Sequence, residues 1–371
     1  MNHTYDQKKE IAGVLKALIN LNEVSKLRNT FISAFKSKSI AKPDGMSYLH
    51  GNFNLGGTVS GRMSSNNPNL QNLPSTGSQY AKAFKKCFKA PEGWVLVGAD
   101  FSSLEDRIAA LTTKDPNKLK VYTDGYDGHC LRAYAYFKEE MPDIDPTSVD
   151  SINSIESKYK DLRQKSKGPT FALTYQGTWI TLVNNLGFDK PTAEKIEANY
   201  HELYSASDEW VQDKLTNASK DGYVQVAFGL KVRTPILKKT ILNKRNTPFE
   251  AQAEGRTAGN ALGQSYGLLN NRSAIEFMDR VHRSQYAQCV LPIAQIHDSQ
   301  YYIIKEDIEL LKWVNDNLIE CMNWQELEEI QHDQVKLEAE LQLFYPDMSS
   351  EIKLPNKATV EQLLSIIDEQ V

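Results

Sequence analysis

Residues 94–107 read WVLVGADFSSLEDR. Trp94 to Phe101 is a short apolar run, bounded upstream by Pro91 and Gly93, and such a run predicts a buried β-strand. Asp100 stands at its end. From Ser103 to about Tyr204 the pattern turns helical. Far downstream, Val290 to Ile304 alternates as strand, polar turn and strand around His297 and Asp298. Val335 to Leu343 (VKLEAELQL) alternates as a further strand. Strands at both ends of the region, with a helical block between them, predict an α+β protein. One antiparallel sheet would carry the chemistry, and a helical insertion would lie over it.

Working outward, residues 6–38 predict helices, with Ile11, Val14, Leu15, Leu18, Ile19 and Leu21 at helical spacing. Gly56, Gly57, Gly61 and the polar run Ser64 to Asn69 predict a loop-rich segment. Gly222 to Pro235 (GYVQVAFGLKVRTP) predicts a hairpin turning near Gly229. Residues 249–288 are helical again, and 306–322 form an amphipathic helix.

The composition, 40% hydrophobic and 24% charged, is that of a globular chain with one large core or two to three smaller ones. No stretch approaches 18 consecutive apolar residues, so no membrane helix or membrane partner is expected. The polar start MNHTYDQKKE is not a signal peptide. Cys87, Cys130, Cys289 and Cys321 are far apart and form no CxxC pair, which points to a reduced, cytoplasmic setting. Residues 305–371 hold 16 acidic and 5 basic side chains, so the overall charge of −4 conceals +7 in residues 1–304. That local excess suits phosphate contact, although ordinary surface charge reads the same way.

Two constellations carry chemistry. Asp100 and Asp298 each stand at a strand end, where paired carboxylates can hold two divalent cations about 4 Å apart. Taken singly, such an aspartate is usually a cap or turn residue. The sharper constellation is Arg163, Lys167, Phe171 and Tyr175, at spacings of four in DLRQKSKGPTFALTYQG. On a helix they form one slowly drifting stripe. Two cations suit a triphosphate and two aromatics suit a stacked base. A solvated basic turn followed by two core aromatics is the plainer alternative.

Several segments resemble the motifs of family A DNA polymerases. TVSGRMSSNNPNLQNLP (58–74) resembles the segment TGRLSSxxPNLQNIP at the start of the palm. DFSSLEDR (100–107) is similar to motif A, DYSQIELR, and Arg163 to Tyr175 matches motif B, RxxxKxxxFxxxY. Residues 222–235 resemble the hairpin GYVETLFGRRRYVP. Arg256, Asn260 and Gln264 match RxxxNxxxQ, and His297 and Asp298 match part of motif C, HDE. The motifs stand in family order over roughly residues 15–345.

The resemblance implies template-directed DNA synthesis on primer–template DNA from deoxynucleoside triphosphates. Two Mg²⁺ ions would be held by Asp100, Asp298 and the Phe101 carbonyl. It places Arg163, Lys167 and His129 at the triphosphate, Phe171 at the incoming base and Tyr175 at the template. Glu105 would block a ribose 2′-hydroxyl. Arg62, Asn69, Gln71, Asn72, Arg256, Asn260 and Gln264 would contact the duplex, with His297 near the primer terminus. The implied division is thumb-base helices (1–45), first palm part (46–115), fingers (116–245) and second palm part with an acidic tail (246–371), the tail accessory from about residue 350.

Three departures matter. Ser299 stands where motif C has glutamate, which implies weaker metal binding. Gly168 and Pro169 lie inside the motif B stripe, so a bend just before Phe171 is expected. Only about 45 residues precede the palm, and no exonuclease motif is found. The expectation is therefore one part of a split polymerase, with a separate chain supplying thumb and exonuclease, in phage replication. Two rivals stand beside it. One is a single-subunit RNA polymerase, in which HDS is common; the other is a non-catalytic subunit that binds primer–template.

Overall fold

The computed structural model describes residues 5–74, 80–240 and 248–370. The chain opens with helix α1 (Tyr5–Lys26), continued by a π-helical turn at Leu27–Ile32 and a short helix at Ser33–Lys38. The expected helices are present, but the apolar residues of α1 are not core: Ile11, Val14, Leu15, Leu18, Ile19 and Leu21 are all exposed.

The central sheet has five antiparallel strands: β1 (Trp94–Phe101), β2 (Val290–Ile296), β3 (Ser299–Lys305), β4 (Ala339–Phe344) and β5 (Glu351–Leu354). Their spatial order is β5-β4-β1-β3-β2, with β1 in the middle. Both faces of β1 are covered, which is why its sequence is continuously apolar rather than alternating. Val97, Ala99 and Phe101 join the main core with Tyr302, Ile304, Leu341 and Leu343. Leu96 packs on the other face with Phe344 and Met348. Asp100 lies on that second face, at the end where the cover runs out.

Helix α2 (Leu104–Thr113) follows β1 directly and buries Leu104, Ile108 and Leu111 in the main core. A separate helical body follows, including α3 (Gly128–Phe137) and α4 (Lys160–Thr174). Its own core holds Leu131, Tyr136, Ile152, Leu182, Ile196 and Tyr204 among others. The expected hairpin pairs Tyr223–Gln225 with Lys231–Arg233, and Gly229 turns at φ +73°. The chain returns through α5 (Phe249–Gln264) and α6 (Leu268–Arg283) to the β2–β3 hairpin. Helix α7 (Ile308–Met322) packs its buried face on the sheet core. The boundary expected between residues 245 and 246 lies outside the described residues.

Three expectations need correction. Helix α4 runs unbroken through Pro169. The lost hydrogen bond is local, and Pro169 is buried. Gly168 is there for packing: a Cβ on it would meet Leu186 at 3.3 Å. Second, residues 335–338 are not strand. Their backbone amides go to side chains instead: Val335 N–H donates to His332 Nδ1 (3.0 Å) and Leu337 N–H to Gln325 Oε1 (2.7 Å). Third, the tail beyond residue 350 is not accessory. β5 forms the sheet edge against β4, and Leu363 of helix α8 (Val360–Asp368) is fully buried in the main core. Among the described residues no helix is long and apolar enough to cross a membrane. All four cysteines are free.

Leu363→Ala should therefore cost about 2–5 kcal/mol, as for other buried leucines. A urea melt checks this; a change under about 0.5 kcal/mol would restore the reading of residues 350–370 as an appendage.

Candidate active site

The strand register builds the site. β1 and β3 pair so that Asp100 lies opposite Ser299. Ile296 pairs with Ser299 across a two-residue turn, which leaves His297 and Asp298 at its tip. His297 takes φ +54°, a left-handed conformation common in such hairpins. Buried Asn270 of α6 pins the tip, donating through Nδ2 to the carbonyls of His297 and Ser299, both at 3.2 Å. Asp298 is thereby fixed beside the end of β1.

Both carboxyls are pushed above the usual carboxylate range. For Asp298 the first cause is burial; Arg62 opposes it, while the charges of Glu105 and Asp100 add to it. For Asp100 burial again leads, opposed by hydrogen bonds from the Ser299 hydroxyl and the Phe101 N–H, and Glu340 adds repulsion. One guanidinium answers this charge. Arg62 Nη2 contacts Glu105 Oε1 at 2.7 Å and Asp298 Oδ1 at 3.1 Å. Gly267 makes room for it, because a Cβ there would lie 2.8 Å from Arg62 Nε. The other oxygen of Glu105 accepts from the Tyr175 hydroxyl. Asp298, Arg62, Glu105 and Tyr175 are thus one chain of contacts.

A divalent cation is what such a carboxylate pair implies, and the residues fit it. Asp100 and Asp298 offer hard anionic oxygens, and burial is the first cause that raises the pKa of each. Mg²⁺ characteristically uses one or two carboxylates and keeps its other positions for water and phosphate. Among the described residues no group of three or more His, Cys, Asp or Glu is gathered for a metal. Asp100 and Asp298 are the two carboxylates that would hold it. The Phe101 side chain itself is buried in the core.

The stripe on α4 rises from this point. Tyr175 closes the helix, and its ring lies 4.8 Å from that of Phe171, which is 69% exposed. Lys167 and Arg163 follow one and two turns back. Arg163 is held by Asp127 at 2.6 Å, and Asp127 also caps α3 through the Cys130 N–H. His129 sits nearby with Nδ1 3.2 Å from Arg132. Burial first, then Arg132 and Lys167, push its pKa down, so it is neutral at pH 7.

The expected duplex-binding residues divide. Arg62, Gln71 and His297 line one small hollow, and Gln71 Nε2 donates to the Gln295 carbonyl at 3.2 Å. Asn260 and Gln264 of α5 line a pocket of about 410 Å³ with Tyr175. Arg256, one turn before Asn260, sets its guanidinium 5.7 Å from the Phe249 ring centroid. Asn69 closes a local turn onto the Gln71 N–H, and Asn72 is exposed with no described contact to the site.

Sequence reasoning missed Asp127, Asn270 and Asp106. Only Asp127 carried a signal, an aspartate just before a helix start. Asp106 ties α2 to the helical body. It accepts from the Tyr122 hydroxyl at 2.8 Å and pairs with Arg132 at 3.6 Å and Lys118 at 3.8 Å. Burial alone would raise its carboxyl; Lys118, Arg132 and Tyr122 outweigh that and hold it low.

Comparison with known proteins settles the class. The fold is the polymerase right hand, an antiparallel palm sheet with a helical fingers insertion. The polymerase domain of Pol1 from M. smegmatis, solved in complex with DNA primer-template and dNTP, matches 91% of this chain with a TM-score of 0.71 and 21% identity, over 53% of its own length. The chain belongs to DNA polymerase family A, whose model matches residues 3–343. Among curated relatives, the thermostable DNA polymerase I of Thermus filiformis is 29% identical over 62% of this chain and 26% of its own length. DNA polymerase I of Streptococcus pneumoniae is 29% identical over 84% of this chain and 33% of its own. The chain thus spans about a quarter to a third of these relatives.

Asp106→Asn would leave Lys118 and Arg132 without their charge partner and should cost about 3 kcal/mol at pH 7. The folded carboxyl is held below its ordinary value of 3.8, so the paired charge stabilises above that value and the benefit is lost as pH falls through the lower folded value. The wild-type advantage over Asp106→Asn in urea melts should shrink below about pH 4; a constant gap from pH 7 to pH 3 would refute the charge pairing.

Proposed function

We propose that the chain is a DNA-directed DNA polymerase that extends a primer 3′-hydroxyl with deoxynucleotides by in-line phosphoryl transfer. The observation that supports it best is the meeting of motifs A, B and C at one point: Asp100, Asp298, Glu105 and Tyr175 at the foot of the Arg163–Lys167–Phe171 stripe. Two Mg²⁺ ions, when bound, would lower the pKa of the primer hydroxyl and stabilise the pyrophosphate leaving group.

The chain's own residues do the rest. Asp100, Asp298 and the Phe101 carbonyl would hold the cations at the strand ends. Lys167 and Arg163 grip the triphosphate and offset the charge that develops on it. His129, neutral, adds a hydrogen bond to phosphate. Phe171 offers an open ring face to the incoming base. Tyr175 closes the template side, and its bond to Glu105 stiffens the carboxylate that would meet a ribose 2′-hydroxyl. Arg62, Gln71, Asn260 and Gln264 present donors to minor-groove acceptors, which are nearly the same for every base pair; Asn69, Asn72, Arg256 and His297 complete the duplex track. Residues 46–115 and 246–370 act as palm and the helical body as fingers.

The exposed apolar face of α1 supports the finer reading that a separate chain packs there and supplies further thumb helices. Glu105 favours deoxynucleotides and speaks against the RNA polymerase alternative. The retained aspartates and stripe speak against a subunit that only binds.

Primer extension with Mg²⁺ and deoxynucleotides tests the proposal. Asp100→Ala, Asp298→Ala and Lys167→Ala should each lower the rate at least about 100-fold, and Glu105→Ala should admit ribonucleotides. Extension undiminished in both aspartate variants would sink the proposal.

A further inference from the structure

One ring nitrogen of His129 is engaged and the other is open. Arg132 stands three residues later on α3, so the two side chains are neighbours on the helix surface. Arg132 Nη2 lies 3.2 Å from His129 Nδ1. A guanidinium carries only donors, so Nδ1 must accept. A neutral imidazole has a single ring proton, which is then on Nε2. Among the described residues no hydrogen bond engages Nε2, and its N–H is left free to donate.

Arg132 is itself held in place. It is 8% exposed. Its Nη1 lies 3.6 Å from Asp106 Oδ1 and donates to the Tyr204 hydroxyl at 3.4 Å. Asp106 belongs to α2 and Tyr204 to the core of the helical body, so the guanidinium is anchored to both. Gly128 leaves it room: a Cβ there would lie 3.2 Å from Nη2. The charges facing His129 agree with this arrangement. Burial first, then Arg132 on its own helix and Lys167 and Arg163 on α4, push its pKa below the ordinary 6.5, while Asp127 opposes them. Asp106 of α2 feels the His129 charge as well. Lys167 and Arg163 are the cations assigned above to the triphosphate, and the open N–H of His129 belongs to their cluster.

Resting on the polymerase reading above, we propose that Arg132 is a positioning residue for the nucleotide: it fixes His129 in the Nε2–H tautomer, as a donor to the triphosphate, while Asp106 anchors the guanidinium. Arg132 touches neither the substrate nor a cation and acts through the ring alone. With the proton on Nδ1 instead, Nε2 would present a lone pair to an anion and repel it.

Nitrogen-15 NMR of the DNA-free protein, labelled at histidine, reads the tautomer directly, because protonated and bare ring nitrogens have well-separated shifts. His129→Gln assigns the His129 signals by their loss. At pH 7 wild-type His129 should show a protonated Nε2 and a bare, hydrogen-bonded Nδ1. Arg132→Met removes the guanidinium and leaves Lys118 to pair with Asp106. In it the Nδ1 signal should lose its hydrogen-bond shift, and the His129 pKa should rise because a facing positive charge is gone. Single-nucleotide incorporation runs beside the NMR. His129→Asn and Arg132→Met should each raise the deoxynucleotide KM roughly three- to tenfold, the value of about one hydrogen bond, with the loss chiefly in KM rather than kcat. His129→Gln can donate from the Nε2 position and should recover most of the loss. The double variant Arg132→Met/His129→Asn should be no worse than His129→Asn alone, because Arg132 acts through the ring. Wild-type His129 protonated on Nδ1 would overturn the proposal. So would an unmoved Nδ1 signal in Arg132→Met, with folding verified by thermal melt, or additive KM losses in the double variant. If Arg132→Met does not fold, Gly128→Ala crowds Nη2 without removing a charge and carries the same Nδ1 readout. A wild-type chain that shows the Nε2–H tautomer but extends no primer would sink the polymerase reading alone, and the NMR series would still decide whether Arg132 sets the tautomer.

Discussion

Two carboxylates held in each other's field at the end of a sheet repel, and burial makes each harder to ionise. Much of the surrounding structure answers that cost. Asp298 cannot retreat, because Asn270 fixes the hairpin tip from behind. Asp100 cannot retreat, because β1 is the middle strand and is paired on both sides. The charge is met from outside the sheet by Arg62, which is 236 residues from Asp298 in sequence. That single guanidinium joins the segment before β1, the start of α2 and the β2–β3 turn. Through Glu105 and Tyr175 it also reaches the end of α4. Its reach depends on Gly267, where a Cβ would lie 2.8 Å from Arg62 Nε.

The sequence revealed elements whose period was unmixed. Trp94–Phe101 read as strand because both its faces are covered and every position up to Asp100 is apolar or small. The β2–β3 hairpin read correctly because polar His297 and Asp298 interrupt two alternating runs. Alternation misled at 335–338, where inward apolar residues are real but the backbone is bonded by His332 and Gln325. No local pattern marks a side chain from elsewhere as a strand partner. Pro169 misled in the opposite sense: a proline can lie inside a helix when packing supports it, and Pro169 is buried. The site's residue types were legible, whereas its pairings were not. Nothing near Arg62 in sequence points to Glu105 or Asp298, and nothing near Asp106 points to Lys118 or Arg132.

The cations of the site differ in their readiness. Arg62 is engaged by two carboxylates and Arg163 by Asp127. No described hydrogen bond or ion pair holds Lys167, and Phe171 stands largely in solvent. An anionic, aromatic ligand reaching α4 therefore meets a free ammonium and an open ring one helical turn apart, about 6 Å along the axis. Recruiting Arg163 means exchanging one anionic partner for another, so its net contribution is a difference between two ion pairs. Lys167 faces no such exchange and, on the proposed reading, would bear the greater net share of binding.

The same logic governs Arg62. A cation on Asp298 and a guanidinium on Asp298 neutralise the same charge, so each weakens the other's hold. If Arg62 turns to the minor groove when duplex arrives, Asp298 loses its internal counter-charge just as the substrate phosphates gather. Asp298 would then attract a divalent cation more strongly than it does in the free chain. By the reciprocity of linked equilibria, Arg62 on the proposed duplex would favour a cation on Asp298 and the reverse by the same free energy. The coupling needs no moving domain: it requires only that one arginine serve two anions in turn.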